Sequence, residues 1–200
     1  MRTDRERGDR ITHNDTVFIV TTLKDILPDA DPRVFKFFDA WNAARTVGGT
    51  HRAIPYKRDF DPTAVPGLLH QVWLYRYDPE ISDFVCKLSG EEVNQAWGKS
   101  IRGMRLRDIV GIEDHPTILA RWQRIVGKGM VHYGASRERL TRLKVQIGER
   151  LLLPLLDGDG KVDFVLGISL YRFGSTDPGQ PTLQEEDITQ FPCAELDYLS

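Results

Sequence analysis

Cysteine is scarce in this chain of 200 residues, with only Cys86 and Cys193 present. One distant pair builds no disulfide framework and neither thiol sits at a metal-ligand spacing, so a reducing, cytoplasmic setting is expected. Long apolar runs are missing too. The run Val17 to Val20 is far too short for a signal-peptide core or a membrane span, and the N-terminus is charged rather than apolar, so no membrane association is expected. No basic stripe with interleaved aromatics occurs. Residues 1–10 carry four basic and three acidic groups, and residues 174–200 carry six acidic groups and no basic one. The remaining 11–173 hold a small excess of positive charge, too weak to argue for nucleic acid. The acidic end reads as a solvated tail.

Catalytic signatures are also lacking. There is no G-x-S-x-G elbow, no P-loop and no dinucleotide fingerprint. The five histidines, at 13, 51, 70, 115 and 132, show none of the i, i+4 pairing of helical zinc sites. Nothing places a base beside Cys86, and a cysteine inside a strand is usually a small hydrophobe. Arg58, Asp59 and Asp61 read as turn capping and a surface ion pair. No enzyme activity, no catalytic residue and no metal site are expected.

What is present is an ordinary globular composition, 40% hydrophobic and 28% charged, enough for one domain with a real core. The chain is organised around residues 84–110. Phe84, Cys86 and Leu88 alternate with Asp83, Val85 and Lys87, which predicts a half-buried strand. Ser89 and Glu92 have the spacing of a capping box. Val93, Ala96 and Trp97 form a short apolar helical face, and Gly98 and Gly103 are breaks before Leu106 and Ile109.

Lys87-Leu88-Ser89-Gly90, followed by Asn94, Trp97-Gly98, Gly103 and Leu106, resembles the core motif of the PAS-like family, a divergent branch of bacterial single-domain PAS sensor proteins. Lys87 stands where that pattern more often has arginine. The resemblance runs from about Phe35 to Phe173, taking in Trp41, Pro55, Asp59 to Pro62, Leu68-Leu69, Leu152 to Leu155 and Gly160. It implies an α+β fold: a PAS-like five-stranded antiparallel sheet with short helices on one face and an N-terminal helix on the other. Three regions follow: a partly disordered arm at 1–30, the domain at 31–173 and the acidic tail at 174–200.

In chain order, residues 1–16 read as disordered and 17–22 as β-prone without a fixed partner. Asp31-Pro32 opens a helix carrying Val34, Phe37, Phe38 and Trp41 on one face, with Gly48-Gly49 as its stop. That stripe needs a cover. Either it closes the outer face of the chain's own sheet, or it is an interface with a second copy or another signalling protein. Val72 to Tyr77 is the first strand, with Val72 and Leu74 on one face and Trp73, Tyr75 and Tyr77 on the other. A longer helix begins near Asp114, with Ile118, Trp122 and Ile125 inward and Arg121, Arg124 and Lys128 outward. Three strands follow, at Met130 to Arg137, about Leu143 to Leu155, and Val162 to Phe173. Asp157-Gly158-Asp159-Gly160 is the turn between the last two.

The resemblance implies a pocket between the sheet's inner face and the short helices. Leu88, Val93, Trp97 and Leu106 are its candidate lining from the central stretch. Trp122, Tyr133, Leu153 and Ile168 are the candidates from the later elements. Haem in such a domain takes a histidine on the long helix, whereas His115 stands at a helix entrance and His132 in a strand. Flavin photochemistry requires a cysteine that residues 90–98 lack. Arg137, Arg139 and Arg142 occur without the D-x-S-x-x-G motif of cyclic-dinucleotide readers. No cofactor is expected beyond an unidentified small molecule. Two functions stand side by side: a sensory domain acting through a small ligand or a protein contact, without its own output domain, and a ligand-free dimerisation or adaptor module docking through the N-terminal helix.

Overall fold

The computed structural model describes residues 23–138, 145–172 and 188–198. The expectations for 1–16 and 17–22 lie outside them. Helix α1 (Leu23–Ile26) leads to α2 (Pro32–Ala43), capped by Asp31, whose carboxylate accepts from the Arg33 amide at 2.8 Å. Proline at the first helical position loses no needed donor. Gly48 and Gly49 do not stop this helix. They form the tip of a hairpin between β1 (Thr46–Val47) and β2 (Thr50–His51), with φ of 59° and 77°, the left-handed pair a tight two-residue turn requires.

Three 3-10 turns, the last at Pro66–Gln71, lead into β3 (Val72–Asp78) and β4 (Asp83–Ser89). Helices α3 (Glu91–Trp97), α4 (Leu106–Val110) and α5 (His115–Lys128) follow, then β5 (Met130–Glu138), β6 (Gln146–Leu156), β7 (Val162–Arg172) and β8 (Ile188–Pro192). The main sheet is antiparallel throughout, in the order β4-β3-β7-β6-β5-β8. The expected five strands are therefore joined by a sixth from the acidic end. Residues 188–198 do not dangle: Phe191, Cys193 and Leu196 are buried. Pro192 is tolerated because β8 is an edge strand.

Helix α2 covers one face of the sheet and α3, α4 and α5 cover the other, giving two separate apolar clusters. Val34, Phe37, Phe38 and Trp41 are all buried under α2, and the Trp41 indole donates to the Pro154 carbonyl at 3.0 Å. The stripe is thus spent on the chain's own sheet. As candidate interface residues these four are corrected: a docking surface needs solvent-facing side chains, and these have none. Arg45, fully buried, locks the same corner. Its Nε donates to the Arg52 and Ala53 carbonyls at 3.1 Å each, and Nη1 donates to Asn42 Oδ1 at 2.9 Å.

Two features of the central stretch set the opposite face. Asn94 Oδ1 accepts from the Ser89 hydroxyl at 2.8 Å and from the Ile101 amide at 3.2 Å, tying strand end, helix and following loop together. No capping box forms. Glu92 instead accepts from Gln71 Nε2 at 2.9 Å, and Gly90 is the helix cap. A strap at 103–105 then hooks over the outer edge of β4, with Cys86 N donating to Met104 O at 3.0 Å and Gly103 N to Cys86 O at 2.8 Å. Asp83 anchors what comes next, accepting from the Arg107 amide at 3.2 Å and lying 3.1 Å from His115 Nε2.

Candidate functional site

Strand parity decides which side chains reach the space between the sheet and α3–α5. On β3, Trp73 and Tyr75 point there; on β7, Val165, Ser169 and Tyr171 lie on that side; on β6, Arg150 and Leu152 do. A register shift between Ile147 and Glu149 puts Ile147 on this face as well. Gly167 is required at its place because a Cβ there would run into the Trp73 indole.

Of the strand residues, Trp73, Tyr75, Ile147, Arg150, Ser169 and Tyr171 wall a cavity of about 30 Å³. That is room for about one water in this state. Val93 and Trp97 of α3, Leu106 and Val110 of α4, and Ile118 and Trp122 of α5 complete it. Its floor is aromatic. Trp73 and Trp122 stack with centroids 5.1 Å apart at 9°, and Tyr75 meets Trp122 edge-on at 4.9 Å. Such pairs contribute about 0.5–1.5 kcal/mol beyond area burial.

Its polar groups form a chain of donors. The Trp73 indole donates to Ser169 Oγ at 2.9 Å. The Ser169 hydroxyl and the Trp97 side chain hydrogen-bond Tyr171, whose phenol burial pushes up to about 12. Tyr171 therefore keeps its proton at neutral pH. Among the described residues, Arg150, only 3% exposed, is the one formally charged side chain lining the cavity, and no carboxylate lines it. The Trp122 indole N–H is buried and has no hydrogen-bond partner among the described residues.

Four of the sequence candidates, Val93, Trp97, Leu106 and Trp122, line this cavity. The other four do not. Tyr133, Leu153 and Ile168 belong to the cluster under α2, on the opposite face of the sheet. Tyr133 donates to Glu149 there at 2.9 Å. Leu88 is 47% exposed, because a bulge between Leu74 and Tyr75 flips the alternation of β4 after Cys86. Sequence reasoning missed the lining residues Trp73, Tyr75, Arg150, Ser169 and Tyr171, and with them Val110, Ile118 and Ile147. The signal was present in the Val165, Gly167, Ser169, Tyr171 set. It is the less apolar of the two faces of β7, and hence the face of a polar-lined site rather than of a sealed core.

Nearby groups offer no reactive centre. Cys86 is fully buried, burial pushes its thiol up to about 11, and it donates to the Leu88 carbonyl. A thiol in that state is a poor nucleophile. Arg121 does not face outward as expected but is buried on α5. His132, on the same sheet face as Arg150, pairs with Gln190 of β8 at 2.8 Å through Nδ1. Burial, with Arg150, Arg121 and Arg124 nearby, holds its imidazole well below the usual histidine range. Among the described residues no group of three or more His, Cys, Asp or Glu side chains converges as a metal site, and no helix is long and apolar enough to cross a membrane.

The fold agrees with a comparison across protein families. A family model described as a PAS domain matches residues 30–170. No curated protein matches the chain. Membership carries a general role, since PAS domains are sensory and signalling modules that commonly mediate protein–protein interaction. The match covers more than half of the chain, from α2 to β7, and the chain belongs to the PAS domain family.

Proposed function

We propose that this PAS domain is a sensor whose input is a small molecule held between the sheet and helices α3–α5, and whose output is a contact with another protein. One observation carries the reading. The inner wall of β6 and β7 presents Arg150, Ser169 and Tyr171 where a domain that merely fills its core needs only apolar side chains. Buried polar groups need partners, and one on the facing helix wall, the Trp122 indole N–H, has none among the described residues, which supports a guest that brings an acceptor.

The cavity of about 30 Å³ defines a closed state. A guest larger than water enters by displacing the partly buried Trp97, which ends α3 next to Gly98, a left-handed stop with φ of 66°. Moving Trp97 disturbs the loop held by Asn94 and the strap on the edge of β4. A ligand that binds the open arrangement better shifts the population toward it, and the α3–α4 surface is where a partner reads the change.

Native mass spectrometry of gently purified protein, followed by thermal-shift screening of a metabolite collection, tests this. A copurified small molecule, or a stabilising compound whose effect is lost in Trp97→Ala or Trp122→Ala, is the expected result. A protein that carries nothing, and whose melting temperature no compound moves through these two tryptophans, ends the proposal.

A further inference from the structure

The polar side chains of the inner wall are, with one exception, already engaged. The Trp73 indole donates to Ser169 Oγ at 2.9 Å. Tyr171 is hydrogen-bonded by the Ser169 hydroxyl and the Trp97 side chain. The Tyr75 hydroxyl pairs with the Cys86 thiol, and that thiol donates in turn to the Leu88 carbonyl. Arg150 has interactions of its own. The exception is on α5. Trp122 is 4% exposed and lines the cavity, and its indole N–H is buried with no hydrogen-bond partner among the described residues. A buried donor left open costs free energy, and one acceptor removes that cost. Water answers the need badly, because a buried water makes about three hydrogen bonds and a single open donor supplies one. The surroundings of that donor are apolar. Trp122 stacks on Trp73, and Val93, Leu106, Val110 and Ile118 line the same space.

We propose, resting on the sensory reading above, that the guest is a small neutral aromatic carbonyl compound, a ketone, aldehyde or lactone on a flat ring. Its carbonyl oxygen accepts from the Trp122 N–H, and its ring fills the space that the Trp97 indole leaves on opening. A flat aromatic body suits a place vacated by another one. One open donor calls for one acceptor, and a carbonyl brings that without adding a donor of its own. A carboxylate must give up its hydration and finds a single open N–H in return. A cation meets Arg150, the one formally charged side chain of the wall, where no carboxylate lines the cavity among the described residues and water screens little.

The test holds the ring constant and changes the group it carries. Acetophenone, ethylbenzene, benzoate and 1-phenylethylamine form a one-ring set, and 2-acetylnaphthalene, 2-ethylnaphthalene and 2-naphthoate a two-ring set. Each is titrated into the full chain at neutral pH, following calorimetric Kd and the indole N–H signals in ¹H–¹⁵N spectra. In at least one set the ketone is expected to bind about tenfold or more tightly than the hydrocarbon and the ions, and to move the Trp122 indole signal. Trp122→Phe keeps an aromatic ring and removes the N–H, and is expected to bring ketone and hydrocarbon to equal affinity. Should that variant fold poorly, the ketone-to-hydrocarbon ratio and the Trp122 signal in the unaltered protein still decide the matter. A hydrocarbon that binds as tightly as its ketone, or a ketone preference that survives Trp122→Phe, overturns the carbonyl assignment while leaving a ligand pocket in place. A carboxylate that binds tightest overturns the neutral guest in the same way. Silence of every compound in both sets overturns the pocket itself and the carbonyl with it.

Discussion

Single polar side chains hold this domain together at its corners, and each does so from a buried or half-buried position. Arg45 gathers the end of α2, the β1–β2 hairpin and the residues beyond. Asp83 receives the first turn of α4 and the first residue of α5. Asn94 closes the α3 loop. A hydrogen bond contributes only about 0.5–1.5 kcal/mol net, but leaving its partner buried and unsatisfied costs about 1–3 kcal/mol. The same logic makes His132 a pH liability. Its ring is fully buried, accepts from Gln190, and lies in the field of Arg150, Arg121 and Arg124, so the folded state holds it neutral. The unfolded chain protonates it near the ordinary value of about 6.5. Below that pH the unfolded state binds more protons, so stability present above it is lost as pH falls toward the depressed folded value. Each pH unit in that window removes up to about 1.4 kcal/mol. Urea midpoints measured at pH 7.5, 6.5 and 5.5 should therefore fall in the parent and fall less steeply in His132→Leu. Parallel slopes in the two proteins contradict the assignment.

At the scale of elements, two glycines of α3 and α5 separate crowding from freedom. Gly90 caps α3 where its amide donates to Val72 O at 2.8 Å, and a Cβ there would strike the carbonyl oxygens of Leu69 and His70. Backbone cannot yield as a side-chain tip does, so Gly90→Ala should destabilise by about 1–3 kcal/mol or more. Gly127, in the exposed last turns of α5, has open space where an added methyl would sit, with nothing within 4 Å, and Gly127→Ala should stabilise by up to about 1 kcal/mol. Melting curves of both check the pair, and a harmless Gly90→Ala refutes the close approach. Gly90 also lies in the motif that made the family resemblance readable, so motif and crowding are the same fact. Strands β3 to β7 and helices α2 to α5 were legible in the same way, because alternation and helical spacing report burial directly. Which face of each strand meets which helices was not. Alternation sorts β7 into Phe164, Leu166, Ile168, Leu170 and Val165, Gly167, Ser169, Tyr171 without saying which set lies under α2. Tyr133, Leu153 and Ile168 went to the wrong side for that reason. Leu88 failed differently, since a bulge leaves no mark in a seven-residue strand.

At the scale of the whole molecule, the two faces of the sheet have different occupations. The α2 face is sealed: its aromatics interlock with Leu151, Leu153, Leu166 and Ile168, and residues 188–198 close it. The α3–α5 face keeps a cavity and its donors. Little in the residue pattern warns that 188–198 belong to the sealed side. Their five-residue strand has no clear alternation, and their charge suggests solvent.

The closing role of that segment is open to direct measurement. Strand β8 pairs with β5 from Met130↔Pro192 to Gly134↔Ile188, Cys193 N donates to Gly129 O at 2.8 Å, and Arg45 Nη2 reaches the Cys193 carbonyl at 3.5 Å. Phe191 and Leu196 are buried against the α2 core. Ending the chain at residue 187 therefore bares one edge of β5, the apolar surface around Val131, and the Arg45 corner together. An unpaired edge beside apolar surface is a template for association. The shortened chain should melt well below the parent and aggregate in a concentration-dependent way, visible by light scattering. Phe191→Ala separates packing from pairing, because it keeps the strand and removes the ring, and should cost about 3–5 kcal/mol. If the shortened chain melts with the parent and stays dispersed, β8 is an ornament on a five-stranded domain. If Phe191→Ala alone reproduces most of the loss, the ring rather than the ladder joins this segment to the core.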